Sequence, residues 1–326
     1  MKHLLLLATL LPTLAAAQTP PVDQTTNMVM TPAAIAEARR QVAVGGTGRF
    51  KAEMRSEPSL PTHTIYAPRD LKAAGKLPVI VWGNGACANA GNRFQFFLTE
   101  IASHGYAIVA VGPVGPDWLA TNQSRTPPGS PPPPPAPPGS RKQETKAPQL
   151  IDGLEWALKE NARPGSRYYG RLDPSRLAVM GQSCGGLQAI WAASNDTRFK
   201  TLIVWNSGTF PDGAPPLDGA DATKENLKRL HLPVAWISGD ERDVAFKNSN
   251  ADFDRVEGIR AMRLWGAGIG HGGTYREPGG GRFAQIGAAW LDWQLKGDAK
   301  AGRMFSGPDC ILCKDKAFTL KWKGVK

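Results

Sequence analysis

Residues 179–189 read VMGQSCGGLQA, so that Ser183 has Gly181 two positions before it, Gly185 two positions after it and Cys184 directly beside it. The segment RLAVMG (176–181) has the short apolar run of a strand, and GGLQAIWAAS (185–194) has a helical pattern. A serine on a sharp strand-to-helix turn projects its hydroxyl clear of the sheet, and glycines at those two positions let neighbouring backbone approach it. The helix N-terminus that follows favours a developing negative charge. Such a serine is suited to nucleophilic attack on an acyl carbon. The GxSxG spacing recurs by chance, and the strand before with the helix after is what makes it specific. A frame centred on Cys184 would need glycines at 182 and 186, and position 182 is Gln.

An aliphatic hydroxyl needs a general base, and the chain has 5 histidines. His3 belongs to the N-terminal leader, and His104 sits in SHG at a helix end, where capping explains it. His63 and His231 stand at predicted strand starts, taken here as the wrong end of a parallel sheet for chemistry. His271 differs, because it lies in the glycine-rich loop GAGIGHGGTY (266–275) after the strand RAMRLWG, at the strand-exit side with Ser183. The base in turn needs a carboxylate to hold its tautomer. The segment SGDERDVAF (238–246), leaving the preceding strand, offers Asp240, Glu241 and Asp243. The order serine, acid, histidine is the α/β-hydrolase order.

Four segments together, PVIVWGNGAC, GQSCGG, GDERDVAF and GHGGTY, resemble those of α/β-hydrolases, in particular secreted esterases of the dienelactone-hydrolase-like and cutinase-like polyester-hydrolase types. The resemblance covers roughly residues 60–296. It implies that the acid stands four residues after the strand-terminal glycine, which selects Asp243 after Gly239 and keeps Asp240 as the fallback. It also implies two oxyanion donors: the backbone N–H of Cys184, and a second N–H from the loop after PVIVW, at Asn84 or Gly85. That loop reads WGNGAC and lacks the HGGG motif of many lipases and esterases.

The same fold would set the WGNGAC loop and the serine turn on adjacent strands, so a Cys87–Cys184 disulfide is expected to tie the two together. The alternative is a buried Cys184 acting as a small apolar residue and a free Cys87. Cys310 and Cys313 form a CxxC in GPDCILCKD. Neither the strand-to-helix context of a redox motif nor two further zinc ligands accompany it, so a short disulfide pinning a C-terminal tail (298–326) is expected.

The elements that must position these residues follow from the periodicity. Thr31 and Pro32 start a helix at TPAAIAEARRQVAV, and two strands follow near 50–55 and 63–67. From Pro78 onward the chain alternates β and α: strands at 78–82, 106–112, 176–181, 200–206, 232–239 and 260–266, with helices at 92–105, 148–162, 185–194 and 282–297. This order predicts an α/β fold of the α/β-hydrolase type, a mostly parallel central sheet with helices on both faces, in one domain over 31–326. A proline-rich stretch, 126–148, cannot supply sheet donors and reads as a solvated insertion.

Lys2 and His3, an apolar run and Ala15–Ala17 form a signal-peptide pattern at 1–17, followed by a polar lead over 18–30. No other stretch approaches about 18 uninterrupted apolar residues, so no stable membrane anchor is expected, and the chain is read as secreted or periplasmic. The formal net charge of +11 is scattered, and no nucleic-acid-binding motif accompanies it. The expectation is a secreted serine hydrolase of carboxylic esters, small or polymeric, using Ser183, His271 and Asp243 and requiring neither metal nor organic cofactor. A peptidase or amidase with the same three residues is the rival within the class. A non-catalytic hydrolase-fold protein that binds a surface or polymer, and a thiol oxidoreductase using Cys310 and Cys313, are rivals outside it. Trp82, Trp118 and Trp205 are weak candidates for lining an acyl pocket.

Overall fold

A computed structural model describes residues 30–117 and 144–324. The leader pattern, nearly all of the polar lead and most of the proline-rich stretch lie outside those residues. Among the described residues nine strands form one sheet in the order β1-β2-β4-β3-β5-β6-β7-β8-β9. These are β1 (Ala52–Ser56), β2 (His63–Pro68), β3 (Leu77–Gly83), β4 (Ala107–Val111), β5 (Leu172–Gln182), β6 (Thr201–Trp205), β7 (Val234–Gly239), β8 (Ala261–Gly266) and β9 (Phe318–Lys323). The six strands from β4 to β8 pair in parallel, whereas β1, β2 and β9 are antiparallel additions at the edges. No helix among the described residues is long and apolar enough to cross a membrane.

Among the described residues the six longer helices are α1 (Pro32–Val44), α2 (Gln95–Ser103), α3 (Pro148–Ala162), α4 (Cys184–Asn195), α5 (Phe246–Arg255) and α6 (Gly281–Lys296). Because strand side chains alternate between faces, Val79, Val81 and Val179 pack with Leu150 and Leu154 of α3 and Ile190 of α4 on one side. Ile80, Trp82 and Met180 pack with Phe97 of α2 and Ile286 and Trp290 of α6 on the other. A parallel sheet covered on both faces explains why its strands read as unbroken apolar runs.

Local signals placed most of these elements. Thr31 Oγ1 accepts from the Ala34 amide at 3.2 Å and Pro32 occupies the first helical position, as TPAA predicts. Helix α2 begins at Gln95 rather than at 92, because residues 91–94 form a turn. The larger departure is at the C-terminus. The expected tail is structured: β9 pairs with β8 along its whole length, Ala261 opposite Lys323 and Gly266 opposite Phe318. Phe318, Leu320 and Trp322 alternate with Thr319, Lys321 and Lys323, a period of two that the local excess of lysine concealed.

Candidate active site

Ser183 lies between the end of β5 and the start of α4, with φ 55° and ψ −120°. This left-handed backbone is unfavourable for a non-glycine residue and persists where the surroundings enforce it. Here the Ser183 amide donates to Trp205 O at 2.9 Å and Ser207 Oγ donates to Ser183 O at 2.6 Å. The glycines are required by close approach. A Cβ at Gly181 would stand 2.1 Å from Gly185 O, and one at Gly185 would stand 2.1 Å from the Gly83 carbonyl carbon. Strand, strained serine and helix thus follow one another at the exit edge of the parallel strands. The chain has the α/β-hydrolase fold.

The loop after β8 brings His271 to that edge. His271 Nε2 is 2.9 Å from Ser183 Oγ, and Nδ1 is 2.7 Å from Asp243 Oδ1. Since Asp243 only accepts when ionised, Nδ1 carries the proton and Nε2 is left to accept from the hydroxyl. The side chain of Asp243 is fully buried, while that of His271 is 26% exposed, leaving the Ser183 end open. Burial opposes ionisation of Asp243. Hydrogen bonds from His271, the Ala245 amide and Asn206, with the attraction of the imidazole whenever it is protonated, outweigh it and hold the carboxyl below its usual range. Of the other two acids, Asp240 pairs with Arg242 at 2.7 Å and accepts from the Gly268 amide at 2.7 Å, and Glu241 is exposed. Asp240 therefore braces the stem of the His271 loop and does not touch the imidazole.

The turn after β3 faces the serine turn. A 3-10 turn covers Gly85–Cys87, with Ala86 and Cys87 at φ 58° and 46°. The backbone bonds that close it run from the amides of Cys87 and Ala88 to the carbonyls of Asn84 and Gly85, so neither uses the Gly85 N–H. Asn84 is fully buried. Its Oδ1 accepts from Trp82 Nε1 at 2.9 Å, and its Nδ2 lies within reach of the carbonyls of Ala88, Ala90 and Val111. That side chain pins the turn to the end of β4. Cys87 and Cys184 are disulfide-bonded with Cα atoms 5.2 Å apart, which joins this turn to the first residue of α4. The Cys184 amide opens the helix, in the turn whose N–H groups point out of its end.

Three residues without an assigned role in the sequence reading enter the same constellation. Gln182 Nε2 donates to His271 O at 3.1 Å. Asn206, directly after β6, donates from Nδ2 to Asp243 Oδ2 at 2.7 Å, and Tyr275 donates its hydroxyl proton to Asn206 Oδ1. In the sequence Asn206 is marked only as the polar residue ending the apolar run KTLIVWN (200–206), and Tyr275 only as the last residue of GHGGTY.

The remaining candidates lie elsewhere. Its place at a strand start predicts the wrong edge for His63, yet β2 runs antiparallel and His63 stands opposite Val111, at the exit edge. What removes it from the chemistry is burial: it is 1% exposed, with Nε2 2.9 Å from Gln149 O and Nδ1 2.9 Å from Thr62 Oγ1. His104 ends α2 and is 3.2 Å from Glu100, and exposed His231 precedes β7. Trp82 and Trp205 are fully buried in the aromatic cluster under α2 and α6, so they are core rather than pocket lining. Trp118 lies outside the described residues. Cys310 and Cys313 form a local disulfide.

No protein-family model matches the chain. It is similar to the platelet-activating factor acetylhydrolase of Cavia porcellus, with 27% identity over 165 residues. The match spans 44% of this chain and 38% of that protein, well under two thirds of its length. It supports the placement among hydrolases.

Proposed function

We propose that the chain is an exported serine hydrolase that cleaves carboxylic esters, small or polymeric. One observation carries the reading: Ser183 Oγ, the His271 imidazole and the buried Asp243 carboxylate form a continuous hydrogen-bonded line, 2.9 and 2.7 Å per step, at the mouth of a strained strand-to-helix turn. In the proposed cycle Ser183 Oγ attacks the ester carbonyl carbon as its proton passes to His271 Nε2. The oxyanion is held by the amides of Cys184 and Gly85, aided by the N-terminal end of α4. Of the two expected positions in the turn, Gly85 is favoured because Asn84 is buried beneath the turn as its anchor. His271 then returns the proton to the departing alkoxide, giving alcohol and acyl-Ser183. Water, deprotonated by His271, releases the acid and restores Ser183.

Ester hydrolysis is favoured over amide hydrolysis by the similarity to an acetylhydrolase and by the resemblance of four segments to those of dienelactone-hydrolase-like and cutinase-like esterases. Two disulfides favour an oxidising compartment, in keeping with the leader pattern at 1–17. The decisive experiment combines fluorophosphonate labelling with turnover of short nitrophenyl esters and peptide anilides. Labelling at Ser183, its loss in Ser183→Ala and preference for esters are the expected results. An unlabelled, inactive wild type would sink the hydrolase reading, and preferential anilide cleavage would replace ester with amide.

A further inference from the structure

Asn206 is fully buried and has φ 40°, a left-handed conformation that asparagine tolerates better than most residues. Its backbone is fixed at the end of β6 by a 2.7 Å bond from its amide to Ile237 O. The side chain is fixed from both sides. Nδ2 lies 2.7 Å from Asp243 Oδ2 and 3.3 Å from Gly270 O, both of which can only accept. On the other side Oδ1 accepts the proton of the Tyr275 hydroxyl. Burial, with the Asp243 charge nearby, pushes the Tyr275 phenol well above its usual range, so Tyr275 remains a donor. The amide therefore has one orientation that satisfies all of its neighbours.

The two oxygens of Asp243 have separate tasks. Oδ1 accepts from His271 Nδ1 and from the Ala245 amide at 2.9 Å, while Oδ2 accepts from Asn206 and, at 3.2 Å, from the Gly239 amide. Without Asn206, Oδ2 would keep only the longer of its two bonds. Tyr275 is carried four residues beyond His271 on the same loop, and its ring packs edge-on against Phe94 and Phe97 at 5.2 Å. A rigid aromatic anchor, the acid and the loop bearing the base thus meet at one asparagine side chain.

We infer that Asn206 and Tyr275 are positioning residues that act through Asp243: Tyr275 orients the Asn206 amide, and Asn206 fixes the plane of the carboxylate that holds the imidazole. This rests on the proposed roles of Ser183, His271 and Asp243. The titratable and charged groups facing Asp243 are His271 and Tyr275 from the loop after β8 and Arg263 from β8. Asp240, on its own loop, is occupied by Arg242 and Gly268. Removing the Asn206 donor leaves Asp243 Oδ2 with only the Gly239 amide at 3.2 Å, so the carboxylate can turn out of the plane in which it holds His271 Nδ1.

The test compares Tyr275→Phe, which deletes only the hydroxyl, with Asn206→Gly, which accepts the φ of 40°. On a short nitrophenyl ester, with active sites counted by fluorophosphonate, kcat should fall roughly 5-fold in Tyr275→Phe and about 50-fold in Asn206→Gly, because the base is less well aligned. KM should stay within about 2-fold in both, since neither residue is placed against substrate. Independently of turnover, the proton NMR signal of His271 Nδ1–H should shift in both variants. Wild-type kcat and Nδ1–H signal in folded Tyr275→Phe would overturn the inference, whether or not Asn206→Gly folds. A wild type that is neither labelled nor active would instead count against the hydrolase reading, and the NMR comparison would still decide whether the relay holds the imidazole.

Discussion

The side-chain amide of Gln182 donates to the backbone carbonyl of His271 at 3.1 Å, although 89 residues separate them. Gln182 immediately precedes Ser183, and a Cβ at Gly85 would stand 2.0 Å from its Oε1, so this side chain also lies against the proposed oxyanion turn. One side chain thereby spaces the serine turn, the histidine loop and the Gly85 turn. Replacing it with Ala should lower kcat roughly 10-fold through misplacement of the base, with little change in KM. Steady-state kinetics check this, and an unchanged kcat would show that the loop keeps its position without Gln182.

The Cys87–Cys184 bridge closes a sequence separation of 97 residues, against 3 for Cys310–Cys313. Restricting the unfolded chain over so long a loop stabilises more than closing a short one. The double variant Cys87→Ala, Cys184→Ala is expected to lose about 2–4 kcal/mol in urea unfolding. Its kcat should also fall, since both proposed oxyanion amides lie beside the bridge. Removing Cys310 and Cys313 together should leave kcat as it was, and equal losses from the two pairs would refute the distinction.

Asp243 and Asp240 separate cleanly by substitution. Asp243→Asn should reduce kcat by about 10³–10⁴-fold, because the imidazole loses the partner that fixes its tautomer. Asp240→Asn should cost a few-fold at most, and Glu241→Gln nothing measurable. The carboxyl of Asp243 lies below its ordinary range, so the stability it contributes is present above that range and is lost as pH falls through the lowered value. Denaturation from neutral to acid pH should show that dependence in the wild type and lack it in Asp243→Asn.

Lys224 and Asp252 form a buried ion pair at 2.5 Å, and Asp252 also accepts from the Thr209 amide and hydroxyl. The pair ties the loop that leaves β6 beyond Asn206 to α5. Lys224→Met, which leaves an unpaired buried carboxylate, should destabilise the fold by about 3–5 kcal/mol. Lys224→Met combined with Asp252→Leu should recover part of that loss. Chemical denaturation of the single and double variants tests the pair, and a stable single variant would contradict it.

Much of this protein follows from local rules that act along the chain. Apolar runs of strand length alternating with helical patterns identify a covered parallel sheet, and Thr31, Pro32 and Pro148 mark helix starts because capping and fixed φ act within a few residues. GxSxG carries its own steric reason, since only glycine fits at 181 and 185 where backbones touch. What tertiary structure decided was which groups meet. Asp240 and Asp243 share one short turn and one chemistry, and the difference between them is that the chain reversal buries one side chain beside His271. The edge at which His63 stands depended on the direction of β2, which pairing with β4 sets and periodicity cannot, and packing then buried it. The edge strand β9 needed β8 as its partner, and the Tyr275–Asn206–Asp243 line joins three separate segments. Hydrogen bonds between distant segments form only once packing has brought them within about 3 Å, and spacing along the chain does not encode that proximity.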